Sequence, residues 1–423
     1  MSTKKREIII CALGTAGDIH PLIGLAKLLV ERGHNLTFLS NDRFKFVIER
    51  NGILFHSIGT EDEYLSLYND ERAWDIRSDP AEIAFDRYYG PTFVPSFEFI
   101  RKRHAKNPNL LVVGLSILNG ARAAAKHFSI PYVLITLSPS LIPSKIHRPA
   151  LFESSLCRWT PEFAKRSLYN HLMQKIDGHL ISHGYIFRLN QIRKKIGLSS
   201  ITKFVRHNYT EEDLHLGFFP RWFGMPPVDW PKTFKLVGFP LSDDERKTET
   251  EAVSKFIERY GKPVLFTSGT GVFNNDAYFQ ESIKACSSLS LPCLLVGGGD
   301  SLKWRKTTYN VMHVDYVDFE TILPKCRAIV HHGGVGTLSQ AIKAEIPQLI
   351  RPLMYDQPDN AYRVVRLGLG LSVSKEYYQG KYVAKLLNKI ITCKSLKSTT
   401  EKYSRDLKRS TAIEKSYHYI SKL

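Results

Sequence analysis

The chain is poor in everything that would staple or anchor it. Its 423 residues hold six cysteines: Cys11, Cys157, Cys286, Cys293, Cys326 and Cys393. None stands in a C-x-x-C pair, which argues against a disulfide scaffold and points to reduced thiols in a cytosolic protein. Long apolar runs are missing too. The longest near-apolar stretch, Leu110 to Ala121, is well short of the ~20 residues a bilayer span requires. The start Lys4-Lys5-Arg6, then Ile8-Ile9-Ile10-Cys11, imitates a signal peptide. Its apolar run meets Gly14 and Gly17-Asp18 too soon and offers no cleavage site, so a first β-strand is expected there instead. There is no D-x-D motif of the kind that holds a divalent ion against a diphosphate, and no His/Cys cluster with zinc spacing, so no metal cofactor is expected. Acidic residues are scarce: 41 Asp+Glu face 59 Lys+Arg, a formal charge of +18. Such an excess favours anionic partners, whether nucleic acid, an acidic membrane surface or phosphorylated small molecules. No basic motif interleaved with aromatics and no helix-turn-helix pattern supports nucleic acid.

What remains is ordinary for a globular protein, with 43% hydrophobic and 24% charged residues. The first third alternates strand and helix patterns. Glu7–Leu13 is β-branched and continuous, like a strand buried on both faces. Gly14-Thr15-Ala16-Gly17-Asp18 then turns into a helix, with Pro21 read as its first position and Gly33 as its stop. Short strands follow at Leu36–Leu39, Leu54–Ile58, Leu110–Leu115 and Pro131–Thr136. From Pro139 to Arg206 the rhythm gives way to aromatic, basic and aliphatic residues that read as helices. A second alternation runs from Pro263 to Leu367, through strands at Pro263–Thr267, Pro292–Val296, Val311–Val317, Ala328–Val330 and Pro347–Leu353. Alternating β and α units predict an α/β protein of two doubly wound parallel sheets. The expected division is an N-terminal domain at 1–241, a polar linker at 242–250, a C-terminal domain at 251–395, and terminal helices at 396–423 packing back on the N-terminal domain.

In open α/β sheets ligands bind beyond the carboxyl ends of the strands. Val330-His331-His332-Gly333-Gly334-Val335-Gly336-Thr337 has that context, strand to glycine loop to helix. Glycines let backbone approach an anion, and free N–H groups at the helix start can hold a phosphate or diphosphate. About twenty residues on, Asp356-Gln357 sits after the next strand. A carboxylate beside an amide suits sugar hydroxyls, which both donate and accept.

His331–Thr337, followed by Ala341, Pro347-Gln348, Pro352, Asp356-Gln357 and Asn360-Ala361-Tyr362-Arg363-Val364, resembles the nucleotide-sugar signature of inverting glycosyltransferases with the GT-B fold, the UDP-glycosyltransferase-like superfamily. The loop Gly14-Thr15-Ala16-Gly17-Asp18-Ile19-His20-Pro21 resembles the acceptor side of that family. Pro220-Arg221-Trp222-Phe223 and Gly238-Phe239-Pro240-Leu241 look most like its rhamnosyltransferases of glycolipid synthesis. The resemblance implies two facing Rossmann-like domains with a cleft between them. It places His331 on the donor diphosphate, with Gly333, Gly334, Gly336 and Thr337 completing the cradle and Asp356 and Gln357 on the sugar. Ser268, Gly269 and Thr270 match a second phosphate loop, and Val317 the place where the nucleobase stacks. Asp18 stands where many relatives carry the catalytic histidine, and implies a carboxylate general base, with His20 as an assistant. The implied substrates are a UDP- or dTDP-sugar and a lipophilic hydroxyl acceptor delivered at an anionic membrane. Helix capping by Asp18 is the competing role for that residue. A nucleotide-sugar epimerase and a non-catalytic partner of the same fold are the competing functions.

Overall fold

The computed structural model describes residues 5–74, 78, 80–115, 119–142, 144, 184–202, 212–241, 250–269, 275–298 and 310–423. Thr270, Gly271 and Ser116, most of the Pro139–Arg206 stretch, and the linker apart from Thr250 lie outside the described residues.

Two compact units emerge. The described residues of Met1–Pro149, Ser154–Pro240 and Thr411–Leu423 form one, and those of Leu241–Ser410 the other. The first is built on seven parallel strands: β1 (Glu7–Cys11), β2 (Asn35–Asn41), β3 (Leu54–Gly59), β4 (Leu110–Leu115), β5 (Tyr132–Thr136), β6 (Leu214–Gly217) and β7 (Phe234–Leu236). Their spatial order is β3-β2-β1-β4-β5-β6-β7. The second has six: β8 (Val264–Thr267), β9 (Cys293–Val296), β10 (Val311–Val314), β11 (Ala328–His331), β12 (Gln348–Ile350) and β13 (Gly370–Ser372), in the order β10-β9-β8-β11-β12-β13. In each sheet the order reverses beside the first strand in sequence, the switch point where doubly wound sheets open a crevice.

Central strands are apolar on both faces because helices cover both. Ile8, Ile9, Ile10 and Cys11 of β1 are fully buried between β2 and β4. In the second sheet, Val264, Phe266, Ala328, Val330 and Leu349 pack against the Asp276–Ser288 and Gly380–Thr392 helices. Leu265, Leu294 and Ile329 point the other way, into a cluster with Val253 and Ile322.

Three expectations are corrected. The first helix, α1, runs Ala16–Glu31 with Thr15 as its N-cap, so Pro21 lies inside it and Asp18 in its first turn. The Val311–Val317 strand ends at Val314, because Asp318 caps a short helix, Phe319–Ile322, by accepting the Glu320 N–H at 3.0 Å. The terminal segment divides: Lys394–Lys408 belongs to the second unit and only Thr411–Leu423 to the first. Ser404 donates to the Lys343 carbonyl at 3.0 Å and Lys408 pairs with Glu345 at 2.7 Å. The Ala412–Ile420 helix lies on α1, where Tyr417 meets His34 and the Arg32 guanidinium.

Candidate functional site

In the first unit the candidate chemistry sits past the carboxyl end of β1. Gly14 takes a φ of +130°, and a Cβ there would stand 2.3 Å from Asp18 Oδ2. Only glycine lets the loop fold so closely over that carboxylate. Asp18 Oδ2 accepts the Thr15 backbone N–H at 2.7 Å and the Thr15 hydroxyl at 3.1 Å. Asp18 therefore does cap its helix, but with one oxygen: Oδ1 accepts no hydrogen bond among the described residues. A nest of buried tyrosines walls the site. Tyr64 and Tyr68 lie 4.3 Å apart, and Tyr88 meets both edge-on at 5.9 and 6.2 Å. The Tyr88 hydroxyl accepts the Gly14 N–H at 3.5 Å. Burial pushes the Asp18 carboxyl up to about 6, against the lowering pull of the Thr15 hydrogen bonds. His20 follows two residues on, roughly 200° round the helix.

In the second unit the glycine loop leaves β11 and enters the Val335–Lys343 helix, whose N-cap is Gly334. The first intrahelical bond of the cap, Leu338 N–H to the Gly334 carbonyl, is 3.0 Å. It leaves the N–H groups of Val335, Gly336 and Thr337 as the helix's unused donors. A side chain at Gly336 would meet open space within 4 Å.

His331 does not join that cradle. It is fully buried, Nδ1 accepts the Gly333 N–H at 3.1 Å, and Nε2 lies 3.0 Å from Gln348 Oε1. That pattern requires a neutral ring with the proton on Nε2, and burial, aided by His332, holds its pKa at about 3. Both ring nitrogens are spent inside the protein. The neighbouring His332 is placed differently. His332 lies against two glycines: a Cβ on Gly269 would come within 2.5 Å of its Cε1, and one on Gly334 within 2.4 Å of its Nε2. Its Nδ1 is buried and has no partner among the described residues, and burial lowers its pKa to about 4. The Ser268 hydroxyl, just past β8, is likewise buried and unpartnered. Orphaned buried polar atoms are rare and call for a ligand or water.

Asp356 and Gln357 open the Gln357–Arg366 helix, Asp356 as its half-buried N-cap. Asn360 Nδ2 bridges the Asp356 carboxylate at 2.9 Å and the Gly333 carbonyl at 3.0 Å, tying the loop before this helix to the glycine loop after β11. Gln357 is less free than expected. Its Oε1 accepts the N–H groups of Leu353 and Met354 at 2.9 and 3.3 Å, leaving only the amide nitrogen to meet a ligand. Tyr355 holds a φ of +63°, a strained conformation of the kind concentrated at ligand sites. Val317 is buried in the sheet's second cluster, so a base stacked at that position would meet backbone or neighbours, not this side chain. The tyrosine nest and His332 escaped the sequence reading. The run Phe85–Tyr89 was the available signal for the first, and the doubled histidine for the second.

Comparison with known proteins matches both ends. Residues 8–84 fit the Glycosyltransferase family 28 N-terminal domain, and residues 300–411 the Erythromycin biosynthesis protein CIII-like, C-terminal domain. A sterol 3-beta-glucosyltransferase of Saccharomyces cerevisiae is 24% identical over 99% of this chain, and one of Arabidopsis thaliana 25% identical over 86%. The chain spans only 35% of the yeast protein's length and 57% of the plant protein's. Glycosyltransferase GtfC of Amycolatopsis orientalis is 25% identical, with 87% of this chain and 86% of its own covered. Among solved structures, the kitacinnamycin glycotransferase superposes with a TM-score of 0.74 at 17% identity, covering 99% of both chains. The calicheamicin glycosyltransferase gives 0.69 at 18%, again over 99% of both. Glycosyltransferase VinC in complex with dTDP gives 0.63 at 16%, over 98% of both. The fold is that of the GT-B glycosyltransferases.

Proposed function

We propose that this chain, which belongs to the UDP-glycosyltransferase superfamily of the GT-B fold, is an inverting glycosyltransferase. It would move a hexosyl group, glucosyl or rhamnosyl, from a UDP- or dTDP-sugar to a hydroxyl of a lipophilic acceptor. The first unit takes the acceptor. Asp18 Oδ1 removes the hydroxyl proton while the acceptor oxygen attacks the anomeric carbon, and the nucleoside diphosphate leaves from the opposite face. The second unit takes the donor. The N–H groups of Val335, Gly336 and Thr337, with His332 and Ser268, meet the diphosphate, and Asp356 and the Gln357 amide meet the sugar hydroxyls. Leaving-group charge is met by these groups, and the reading calls for no metal.

The observation that carries the reading is the pair of orphaned buried atoms, Ser268 Oγ and His332 Nδ1, on the glycine loops beside a helix N-terminus. The sterol glucosyltransferases among the relatives support a lipophilic acceptor, and the dTDP complex a deoxythymidine donor as readily as a uridine one. The formal charge of +18 suits contact with an anionic membrane while that acceptor is drawn from it.

A donor panel tests the proposal. UDP-glucose, dTDP-glucose and dTDP-rhamnose are incubated with sterol, hydroxy-fatty-acid, glycolipid and polyketide acceptors, and nucleoside-diphosphate release is scored. Release that requires an acceptor supports transfer. Conversion of the sugar without an acceptor makes the protein an epimerase, and failure to bind any donor removes the enzyme reading altogether.

A further inference from the structure

Among the described residues of the second unit, four buried side-chain nitrogen or oxygen atoms have no hydrogen-bond partner: Ser268 Oγ, His332 Nδ1, Gln348 Nε2 and Arg351 Nε. Gln348 belongs to the His331 lock. The other three are each the first residue beyond the carboxyl end of a strand, of β8, β11 and β12, which are neighbours in the sheet. Two of them already belong to the donor site. Arg351 is the third.

Its surroundings are unusual for a cation. The guanidinium carbon lies 5.3 Å from the Tyr278 ring centre and 5.2 Å from that of Tyr378, both rings buried. The Tyr278 hydroxyl in turn donates to the Val330 carbonyl at 3.0 Å, at the end of β11. Glu376 is the carboxylate whose field reaches Arg351, and the two form no ion pair within 4.0 Å. A half-buried charge held by ring faces alone is costly unless something completes it. Stacking fixes the plane of the fork and leaves its N–H edge for a bidentate anion. His332 is neutral, so it offers the donor a hydrogen bond but no charge.

We propose that Arg351 is a donor-binding residue, supplying the positive charge that meets an anionic oxygen pair of the nucleotide sugar. That pair is either the diphosphate or a carboxylate on the sugar ring. The inference rests on the donor reading above.

Affinities of the full-length wild type, Arg351→Gln and Arg351→Lys for UDP, dTDP, UDP-glucose and UDP-glucuronate are measured by calorimetry. If the diphosphate is the partner, Arg351→Gln weakens all four by at least about tenfold and Arg351→Lys recovers part of the loss. If a sugar carboxylate is the partner, only UDP-glucuronate weakens. Arg351→Met, which keeps the stacking but drops the charge, is expected to melt higher than wild type without ligand, and to gain less on adding UDP-glucuronate. A folded Arg351→Gln that binds all four within about twofold of wild type, or an Arg351→Met that melts lower while its UDP-glucuronate-induced gain is unchanged, overturns the proposal and makes the stack structural. A wild type that binds none of the four overturns the donor reading itself.

Discussion

Asp18 Oδ2 receives both the backbone N–H and the hydroxyl of Thr15, at 2.7 and 3.1 Å, and so the carboxylate is aimed by one oxygen while the other stays unbonded among the described residues. The residue caps its helix with one oxygen, and the proposed function gives the base role to the other. The capping bonds favour the ionised form and burial opposes it, with the second effect the larger.

From that balance comes a pH dependence. A base must be ionised to act, so kcat/KM for transfer should fall about tenfold per pH unit below about 6 and level off above it. Thr15→Val removes one hydrogen bond to the charged form, which raises the Asp18 pKa and moves the acid limb upward. A limb near the ordinary carboxylate value, or one that moves down in Thr15→Val, contradicts this arrangement.

The two histidines should separate cleanly. His332→Ala should weaken UDP or dTDP binding by at least about tenfold with little change in melting temperature. His331→Ala strands the Gly333 N–H and the Gln348 amide in the core, and should cost about 2–4 kcal/mol of stability. Calorimetry beside a denaturant titration distinguishes them; the reverse pattern would return the diphosphate to His331.

His331 also sets a pH dependence of folding. Its imidazole titrates near 6.5 in the unfolded chain and near 3 in the folded one. Below pH 6.5 the unfolded chain takes up a proton that the native state refuses, so stability is lost as pH falls from 6.5 towards 3, by about 2 kcal/mol at pH 5. Asp18 acts with the opposite sign, because its folded pKa is raised: it adds stability as pH falls from about 6 towards 3.8. Comparing wild type with His331→Gln cancels Asp18, since both carry it. The difference in denaturation midpoint between pH 7 and pH 5 should be smaller in the variant.

Leaving-group charge met by N–H groups and side chains predicts that excess EDTA leaves turnover unchanged and that added magnesium does not raise it. A rate that collapses with EDTA and returns with a divalent ion would contradict the donor site drawn here.

Much of the architecture was legible because the buried parallel strands, such as Ile8–Cys11 and Val264–Thr267, are apolar on both faces and nothing else in the chain looks like them. Short edge strands were not. Phe234–Leu236 and Gly370–Ser372 have three residues each and pair on one side only, too little pattern to read. The glycine loops were visible in spacing, but which of His331 and His332 turns into the core depends on strand alternation at the last residue of β11. One position of register swaps the buried ring for the other. Pro21 misled for a related reason. Proline favours the first helical turn, yet the Thr15–Asp18 cap had already started the helix.

The central claim is tested most directly by the rate of sugar transfer in Asp18→Asn, measured with the donor and acceptor that the panel identifies. The asparagine keeps the shape and can still accept from Thr15, but cannot take a proton. The account predicts a fall in kcat of about 10²–10⁴-fold with donor affinity nearly unchanged; turnover at the wild-type rate would contradict it.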